Sequence, residues 1–201
     1  MTRTFIAIEL NEAARRQLAR TVARLRGALP AAHWADPAGL HLTLAFLGEL
    51  DDARLAEAMT AAASAAPTVA PFALALAGLG RFGPPAAPRV VWAGVAGDLA
   101  ALARLHQALA AALAARAFTL DPRPFTPHLT LARLRTPPSP EATARLEAVL
   151  RASQHPAPAR DPSAAVAISV DHLSVMRSEL LHPAARYTCL RAVPLGRPAP
   201  A

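Results

Sequence analysis

Two short segments of the chain repeat the same order of histidine, threonine and apolar residues. They read His41-Leu42-Thr43-Leu44-Ala45-Phe46-Leu47 and His128-Leu129-Thr130-Leu131-Ala132-Arg133-Leu134. A chain this rich in Ala and Leu can repeat the apolar positions by composition, but it has only 7 His. Two imidazoles suit acid–base chemistry, because one can accept a proton while the other donates one. The threonine hydroxyls can donate to the oxygens of an anion such as a phosphate.

The alternation of polar and apolar residues at the start of each segment predicts a half-buried β-strand. His41 and Thr43 then point to one face of the first strand, and His128 and Thr130 point to the equivalent face of the second. The distance between the copies in the sequence fits a duplicated half-domain. A purely structural repeat would explain the leucines but not the repeated His and Thr. We therefore expect both His-x-Thr pairs to line one cleft.

The paired histidines are better suited to acid–base chemistry than to metal binding. A metal site needs three or four ligands, and neither segment has an acidic or sulfur side chain at a suitable spacing. We therefore expect no metal. Hydrolysis of a strained cyclic phosphodiester needs this pair of groups, because water must lose a proton while the leaving oxygen gains one.

Length and charge limit the classes of function. With 201 residues, the chain can build one sizeable core or two small lobes that share one, so we expect one bilobal domain over residues 1–201 with a proline-rich tail from about 194. The net charge is +7, and all 21 basic residues are arginines. A GC-rich genome can cause this usage, but guanidinium groups also match phosphate with paired donors. The positive net charge favours an anionic substrate such as nucleic acid.

The single cysteine and the absence of long apolar runs indicate the compartment. Cys189 excludes an internal disulfide framework and fits a reducing environment, and we interpret it as buried structure rather than as a nucleophile. The first residues have too short an apolar run for a signal peptide, and prolines break the uncharged stretch 58–80. We expect a soluble cytoplasmic protein that does not enter a membrane.

Periodicity and turn residues predict the elements that position the two segments. Strands are predicted at 3–9, in both repeated segments, and at 70–77, 89–95, 165–176 and 185–193; helices are predicted after Asn11, after Asp51 or Asp52, and at 98–116 and 140–151. Gly48 is expected to stop the first repeated strand, and a Gly- and Pro-rich connection is expected at 80–85. This order predicts an α+β fold with helices outside antiparallel sheets.

The other five histidines are weaker candidates for a site. His106 falls on the apolar stripe of the helix at 98–116, which predicts a half-buried packing role. His155 and His182 each precede a proline in predicted loops, where we expect them to be solvated. His33, in a short connection, and His172, in a predicted strand, can each approach a site, but no repeat supports them.

The sequence resembles the 2H phosphoesterases, a family named for two His-x-Thr/Ser-x motifs, and is most similar to its RNA 2′,3′-cyclic phosphodiesterase branch, also called 2′-5′ RNA ligase-like. The residues that carry the resemblance are both repeated segments, Phe5-Ile6-Ala7-Ile8, Trp34, Gly48, Arg89-Val90-Val91-Trp92, Phe125-Thr126-Pro127, the run from Leu173 to Leu180, and Tyr187. The ordered pair of motifs is specific, and the flanking matches support it.

The resemblance implies a bilobal α+β fold with pseudo-twofold symmetry, in which the two motifs face each other across a central groove. It also implies that the protein uses no metal and no organic cofactor. By resemblance, His41 is the acid that protonates the departing 3′ oxygen, and His128 is the base that activates water. Thr43 and Thr130 hold the phosphate, and Arg133 adds a charged contact. The acid and base labels can be exchanged on chemical grounds alone, because coupled imidazoles titrate as a pair.

The sixth position makes the two segments chemically different, because Phe46 stands where the second copy has Arg133. Phe46 shares a face with His41 only if the strand bends, in which case it can stack on a base. Otherwise it packs in the core, which is the interpretation that we favour. This asymmetry is one hypothesis for why one histidine is the acid and the other the base.

Three functions remain open from the sequence. The leading one is a monomeric hydrolase that converts the 2′,3′-cyclic phosphate end of an RNA or nucleotide to a 2′-phosphomonoester. The second uses the same site in reverse to join RNA ends through a 2′-5′ linkage, although excess water favours hydrolysis. The third is a non-catalytic protein that binds RNA ends, which would have no need of two proton carriers.

Overall fold

A computed structural model of the protein describes residues 1–154, 166–179 and 185–196. The described chain contains strands β1 Thr2–Glu9, β2 His33–Trp34, β3 His41–Leu50, β4 Phe72–Phe82, β5 Val90–Gly97, β6 His128–Arg133, β7 Ala167–Val170, β8 His172–Glu179 and β9 Arg186–Pro194, and helices α1 Glu12–Arg26, α2 Asp52–Ala65, α3 Leu99–Ala114 and α4 Pro140–Gln154. Both repeated segments are strands, as predicted.

The strands form two antiparallel sheets, with the orders β3-β1-β8-β9 and β2-β6-β5-β4-β7. Apart from the two-residue strand β2, the orders correspond, because β3, β1, β8 and β9 occupy the places that β6, β5, β4 and β7 occupy in the second sheet. One repeated segment therefore lies at the same place in each sheet. The α+β fold with two antiparallel sheets and helices is confirmed.

The helices begin where short polar side chains satisfy their first backbone N–H groups. Asn11 accepts from the Ala14 amide at the start of α1, and Asp51 accepts from the Arg54 amide at the start of α2. Asp98 does the same for α3. Each cap of this kind stabilises its helix by about 1 kcal/mol. The predicted helix starts at Asn11 and Asp51 are confirmed.

A single main cluster of buried side chains joins the helices to both sheets. The leucine stripe of α3 lies at its centre, with Leu102, Leu105 and Leu109 at 0 % exposure. Full burial of each such side chain contributes about 1.5–3 kcal/mol. Since Leu42 and Leu129 enter the same cluster, the apolar faces of β3 and β6 are fixed, and the His and Thr side chains must lie on the opposite faces.

Both repeated strands contain a β-bulge at the same point. In β3 the register passes from Thr43 to Ala45 and leaves Leu44 without a partner in β1. In β6 the register skips Leu131 relative to β5 in the same way. An extra residue of this kind bends the strand and shifts the alternation of its side chains by one position.

Three predicted boundaries of the elements are wrong. Gly48 does not stop β3, because the strand continues to Leu50 with Gly48 at φ +75°, a left-handed conformation that glycine adopts without strain. The run predicted as one strand at 165–176 is two strands, β7 and β8, that belong to different sheets and separate at Asp171. Strand β4 also continues to Phe82, through the first part of the predicted connection at 80–85. Most of the expected loop 154–163, with His155, and also His182 lie outside the described residues.

Candidate active site

The bulges return the sixth residue of each repeated segment to the face that carries His and Thr. Leu44 and Ala45 are both buried, and Phe46 after them is exposed beside the half-buried Thr43 and His41. The second copy follows the same pattern of burial and ends at an exposed Arg133. Strands β3 and β6 are in contact where the two sheets meet. The two polar faces, which we call the site faces, therefore lie on neighbouring strands of different sheets.

The ring of His41 is oriented by the backbone just before β3. Asp36 caps a short 3₁₀ turn at Pro37–Gly39 by accepting from the Ala38 amide. The turn leaves the Gly39 carbonyl 2.8 Å from Nδ1 of His41. A carbonyl can only accept, so Nδ1 carries the proton and donates it, and in the neutral ring Nε2 is left as the proton acceptor.

His128 is held in the equivalent way. Its Nδ1 lies 2.7 Å from the carbonyl of Thr126, again two residues before the histidine. Pro127 between them restricts Thr126 to extended geometry, which places that carbonyl beside the ring. Within the described residues, neither Nε2 has a hydrogen-bond partner, so each can take part in proton transfer. The two imidazoles thus have the same tautomer. This match is the strongest structural evidence that the repeated segments share a chemical role as well as a fold.

Aromatic rings pack around His41. Phe5 of β1 stacks on the imidazole with ring centroids 4.5 Å apart, and Tyr187 of β9 meets it edge-on at 5.0 Å. The Tyr187 ring also packs on Gly39, where a Cβ would lie 2.8 Å from its Cδ2. Tyr187 thus contacts both the imidazole and the residue whose carbonyl orients it. The ring reaches across from the opposite edge strand of the sheet, so this sheet is curled around the site.

The surroundings of His128 are also aromatic but are arranged differently. Phe82 of β4 meets the imidazole edge-on at 4.8 Å, and Trp92 of β5 lies at 6.3 Å. Trp92 is directly opposite Thr130 in the β5–β6 pairing, so its indole flanks the whole His-x-Thr pair. No ring stacks face to face on His128 among the described residues.

Burial among its neighbours lowers the pKa of His41 below the usual value of 6.5. The hydrogen bond to the Gly39 carbonyl and the negative charge of Glu9 act in the opposite direction and offset part of this effect. In the free protein at neutral pH, His41 is therefore mainly the neutral imidazole. A phosphate anion bound beside the ring would favour its protonated form again.

The residues at the sixth position mark the two ends of the site faces. Arg133 is exposed and lies opposite Val90 on one side and His33 on the other, so His33 is the histidine of the connection that approaches the site. Phe46 is 49 % exposed, and the Arg3 guanidinium lies 4.7 Å from its ring centre. The prediction that Phe46 packs in the core is wrong, because the bulge at Leu44 turns it outward.

The remaining sequence candidates lie elsewhere. His106 is half-buried and stacks on Phe125 at 3.9 Å, which confirms its packing role. His172 lies on β8, and its Nδ1 is 2.5 Å from the Asp171 carboxylate. Cys189 is in a strand, as expected, but it is exposed, so the prediction that it is buried is wrong. It lies opposite Met176 in the pairing of β8 with β9.

The described residues contain no cluster of three or more His, Cys, Asp or Glu side chains placed to hold a metal ion. The expectation of a metal-free reaction stays a prediction for the assay to test. In the described part of the chain, no helix is both long and apolar enough to span a membrane.

A family model described as the 2′-5′ RNA ligase superfamily matches residues 14–180. This range contains both repeated segments and covers most of the chain. The chain belongs to the 2′-5′ RNA ligase superfamily. The family match confirms the resemblance seen in the sequence. The two histidine motifs also lie at corresponding places in the two sheets.

Curated relatives of this superfamily member include proteins named RNA 2′,3′-cyclic phosphodiesterase. The protein from Geobacillus stearothermophilus is 35% identical over 95% of this chain and 56% of its own length. The protein from Thermotoga maritima is 32% identical over 66% of this chain and 70% of its own length. The chain thus spans little more than half of the first relative and over two thirds of the second.

Solved structures share the fold of this superfamily member over almost its whole length. The protein TT0787 of Thermus thermophilus is 29% identical, with a TM-score of 0.73 over 97% of this chain and 98% of that chain. LigT of E. coli in complex with 3′-AMP has a TM-score of 0.68 and 24% identity over 98% of this chain and 99% of that chain, which is a likeness of fold.

Sequence reasoning gave no role to three residues near the site. Glu9 continues the alternation of Phe5 and Ala7 along β1, so the strand pattern could have placed it on the site face. Phe82 was assigned to a loop because of the glycines and prolines around it. Ser174 is fully buried on β8, in a different part of the sequence, and no local signal connects it with Glu9.

Proposed function

We propose that the protein is an RNA 2′,3′-cyclic phosphodiesterase that opens the cyclic phosphate at an RNA or nucleotide terminus and leaves a 2′-phosphomonoester. The observation that carries the proposal is the matched pair of histidines. Each holds its Nδ1 on a carbonyl two residues earlier and keeps its Nε2 free. The names of the two relatives support the same activity.

In the proposed reaction, His128 Nε2 takes a proton from water as the water oxygen bonds to phosphorus. The bond between phosphorus and the 3′ oxygen breaks, and that oxygen receives a proton from Nε2 of His41. Phosphorus keeps its bond to the 2′ oxygen, so the products are a 2′-phosphomonoester and a free 3′ hydroxyl. Proton transfer by one positioned side chain increases the reaction rate by about 10²–10⁴-fold.

The phosphate itself is held by donors on the site faces. Thr43 and Thr130 each stand two positions after a histidine on the same face, where their hydroxyls can donate to the non-bridging oxygens. Arg133 adds a charge-assisted contact from the end of β6. Its exposure leaves the guanidinium free to meet a phosphate of the substrate.

We further propose that one copy of the chain is sufficient and works in the cytoplasm as a single bilobal domain. Each sheet supplies one of the two histidines, so the proposed reaction needs no residue from a partner. One main apolar cluster spans both sheets. The exposed thiol of Cys189 fits a reducing compartment.

The decisive assay uses the purified protein with a 2′,3′-cyclic nucleotide and with an RNA that ends in a cyclic phosphate, in the presence of a chelator and across pH. The expected result is turnover to the 2′-phosphomonoester with a bell-shaped pH profile, lost in His41→Ala and in His128→Ala but retained in His106→Leu. Binding without turnover would favour an RNA-end-binding protein. Adding an RNA with a 5′ hydroxyl tests for 2′-5′ joining in the same reaction.

A further inference from the structure

We propose that Glu9 is a positioning residue that acts through His41 and makes it, rather than His128, the proton donor; this inference rests on the proposed function. Glu9 ends β1 on the site face. It is the acidic residue nearest to either histidine in the strand pairings of the described chain. It gives the two otherwise matched halves of the site different electrostatics.

The asymmetry is visible in the strand register. Glu9 lies directly opposite His41 in the pairing of β1 with β3. Residues opposite each other in an antiparallel pair share a face, with Cβ atoms about 4.5–5.5 Å apart. The equivalent residue opposite His128 in the pairing of β5 with β6 is Gly94, which has no side chain. Among the described residues, the strand pairings therefore place a carboxylate beside His41 and none beside His128.

The Glu9 carboxylate is held in place from two sides. Its Oε1 accepts a hydrogen bond of 2.5 Å from the hydroxyl of Ser174 on β8, a side chain with 0 % exposure. Its Oε2 lies 3.8 Å from the Arg15 guanidinium of α1. Both contacts fix the position of the carboxylate, because one donates a hydrogen bond and the other carries a positive charge. A fully buried serine beside a charged oxygen is a fixed contact rather than a mobile surface pair.

A fixed negative charge beside His41 stabilises its imidazolium, which is the form that a general acid requires. Burial of His41 disfavours the imidazolium and lowers the pKa of the ring, and the negative charge of Glu9 offsets part of this effect. The other charged or titratable side chains on the site faces and beside Glu9 are Arg3 on β1, Arg15 on α1, His172 on β8 with its partner Asp171, Tyr187 on β9, and His128 and Arg133 on β6. Of these, Arg15 is already paired with Glu9, and His172 is paired with Asp171.

The test combines proton titration with kinetics in Glu9→Gln, which keeps the shape of the side chain and its ability to accept from Ser174. Nuclear magnetic resonance of the imidazole protons should report a lower pKa for His41 in the variant and an unchanged titration of His128. The value of kcat/KM at neutral pH should fall by about tenfold for each unit of pKa lost, because the protonated fraction of His41 falls in that proportion. Glu9→Asp should restore part of both quantities.

Two further variants separate this role from a structural one. Glu12→Gln, at the start of α1, removes an exposed carboxylate whose ion pair in the described chain is with Arg16, and it should leave both titrations and kcat/KM unchanged. Ser174→Ala removes the fixed donor to Glu9 without removing charge, and it should shift the His41 titration by less than Glu9→Gln does.

Several outcomes would overturn the inference. An unchanged His41 titration in Glu9→Gln, or an equal shift of His128, would mean that Glu9 does not act on one histidine. A lowered His41 pKa together with an unchanged kcat/KM at neutral pH would mean that the protonated form of His41 is not the reactive one. A wild-type protein without turnover would overturn the proposed function and the donor role with it, whereas normal wild-type turnover with no effect of Glu9→Gln would overturn the role of Glu9 alone.

Discussion

The indole ring of Trp92 lies against Gly80 so closely that a Cβ on Gly80 would be 2.2 Å from the indole Cζ2. The two residues are directly opposite each other in the pairing of β4 with β5. On its other side, Trp92 lies opposite Thr130 and close to His128. Glycine at position 80 therefore leaves the space that lets the indole lie flat beside the second His-x-Thr pair.

Substitution Gly80→Ala should displace the indole and disturb the second motif. We expect a loss of about 1–3 kcal/mol in the free energy of unfolding, because overpacked sites force side chains and backbone to shift. We expect kcat/KM to fall as well, because Trp92 supports His128 and Thr130. Urea denaturation and steady-state kinetics measure both. Gly27→Ala is the control, since no heavy atom lies within 4 Å of its Cβ position, and equal effects of the two substitutions would contradict the packing argument.

The variants Thr43→Val and Thr130→Val should each lower kcat/KM by about 10²–10³-fold, the usual cost of removing one donor to a developing negative charge. Valine has the shape of threonine and favours strands, so we expect little loss of stability. Thr2→Val, at the far end of β1, controls for the same exchange in a strand. If either site variant retained full activity, its hydroxyl would not hold the phosphate.

Arg133→Ala should raise KM by about 10-fold to 100-fold, because a hydrogen bond to a charged group contributes about 1.5–3 kcal/mol. The unfolding free energy should change by no more than about 0.5 kcal/mol, since the side chain is exposed. Arg104→Ala on α3 removes the same charge away from the site faces. Equal losses in the two variants would indicate a general effect of net charge.

Phe46→Leu should weaken substrate binding while leaving the fold unchanged. The ring is exposed on a site face, and stacking of a base on such a ring is worth about 1–3 kcal/mol. We therefore expect KM for the RNA substrate to rise by at least about fivefold. Leu99→Ala, which removes another exposed apolar side chain, is the control. A substrate affinity that stays the same in Phe46→Leu would leave the ring without a role in binding.

Stability should fall as the pH drops below 6.5. Burial lowers the pKa of both His41 and His106 from that value, so the unfolded chain takes up protons at these residues before the folded chain does. Their contribution to the unfolding free energy is fully present above 6.5 and is lost as the pH falls through the folded-state pKa values. Urea denaturation between about pH 8 and pH 5 should give a shallower fall in His106→Leu than in the wild type. Parallel curves would mean that His106 titrates alike in both states.

The repeated segments by themselves predicted strands β3 and β6 and the buried face of each. They also identified His41 and His128 as the two histidines of one site. Polar–apolar alternation and capping residues are local properties, so the sequence was also sufficient to place the helix starts at Asn11 and Asp51. The resemblance to the 2H phosphoesterases rested on the same residues. Each of these features depends on neighbours within a few positions of the chain.

Only the tertiary structure decided what surrounds each histidine. The bulges at Leu44 and Leu131 depend on register with another strand, and they move Phe46 from the expected core to the surface. Glu9, Gly94 and Ser174 come from separate parts of the sequence and meet the site through sheet pairing. The charge beside His41 arises from pairing between strands, and pairing partners are not encoded locally. Without the family resemblance, the sequence could therefore name two histidines but could not distinguish the acid from the base.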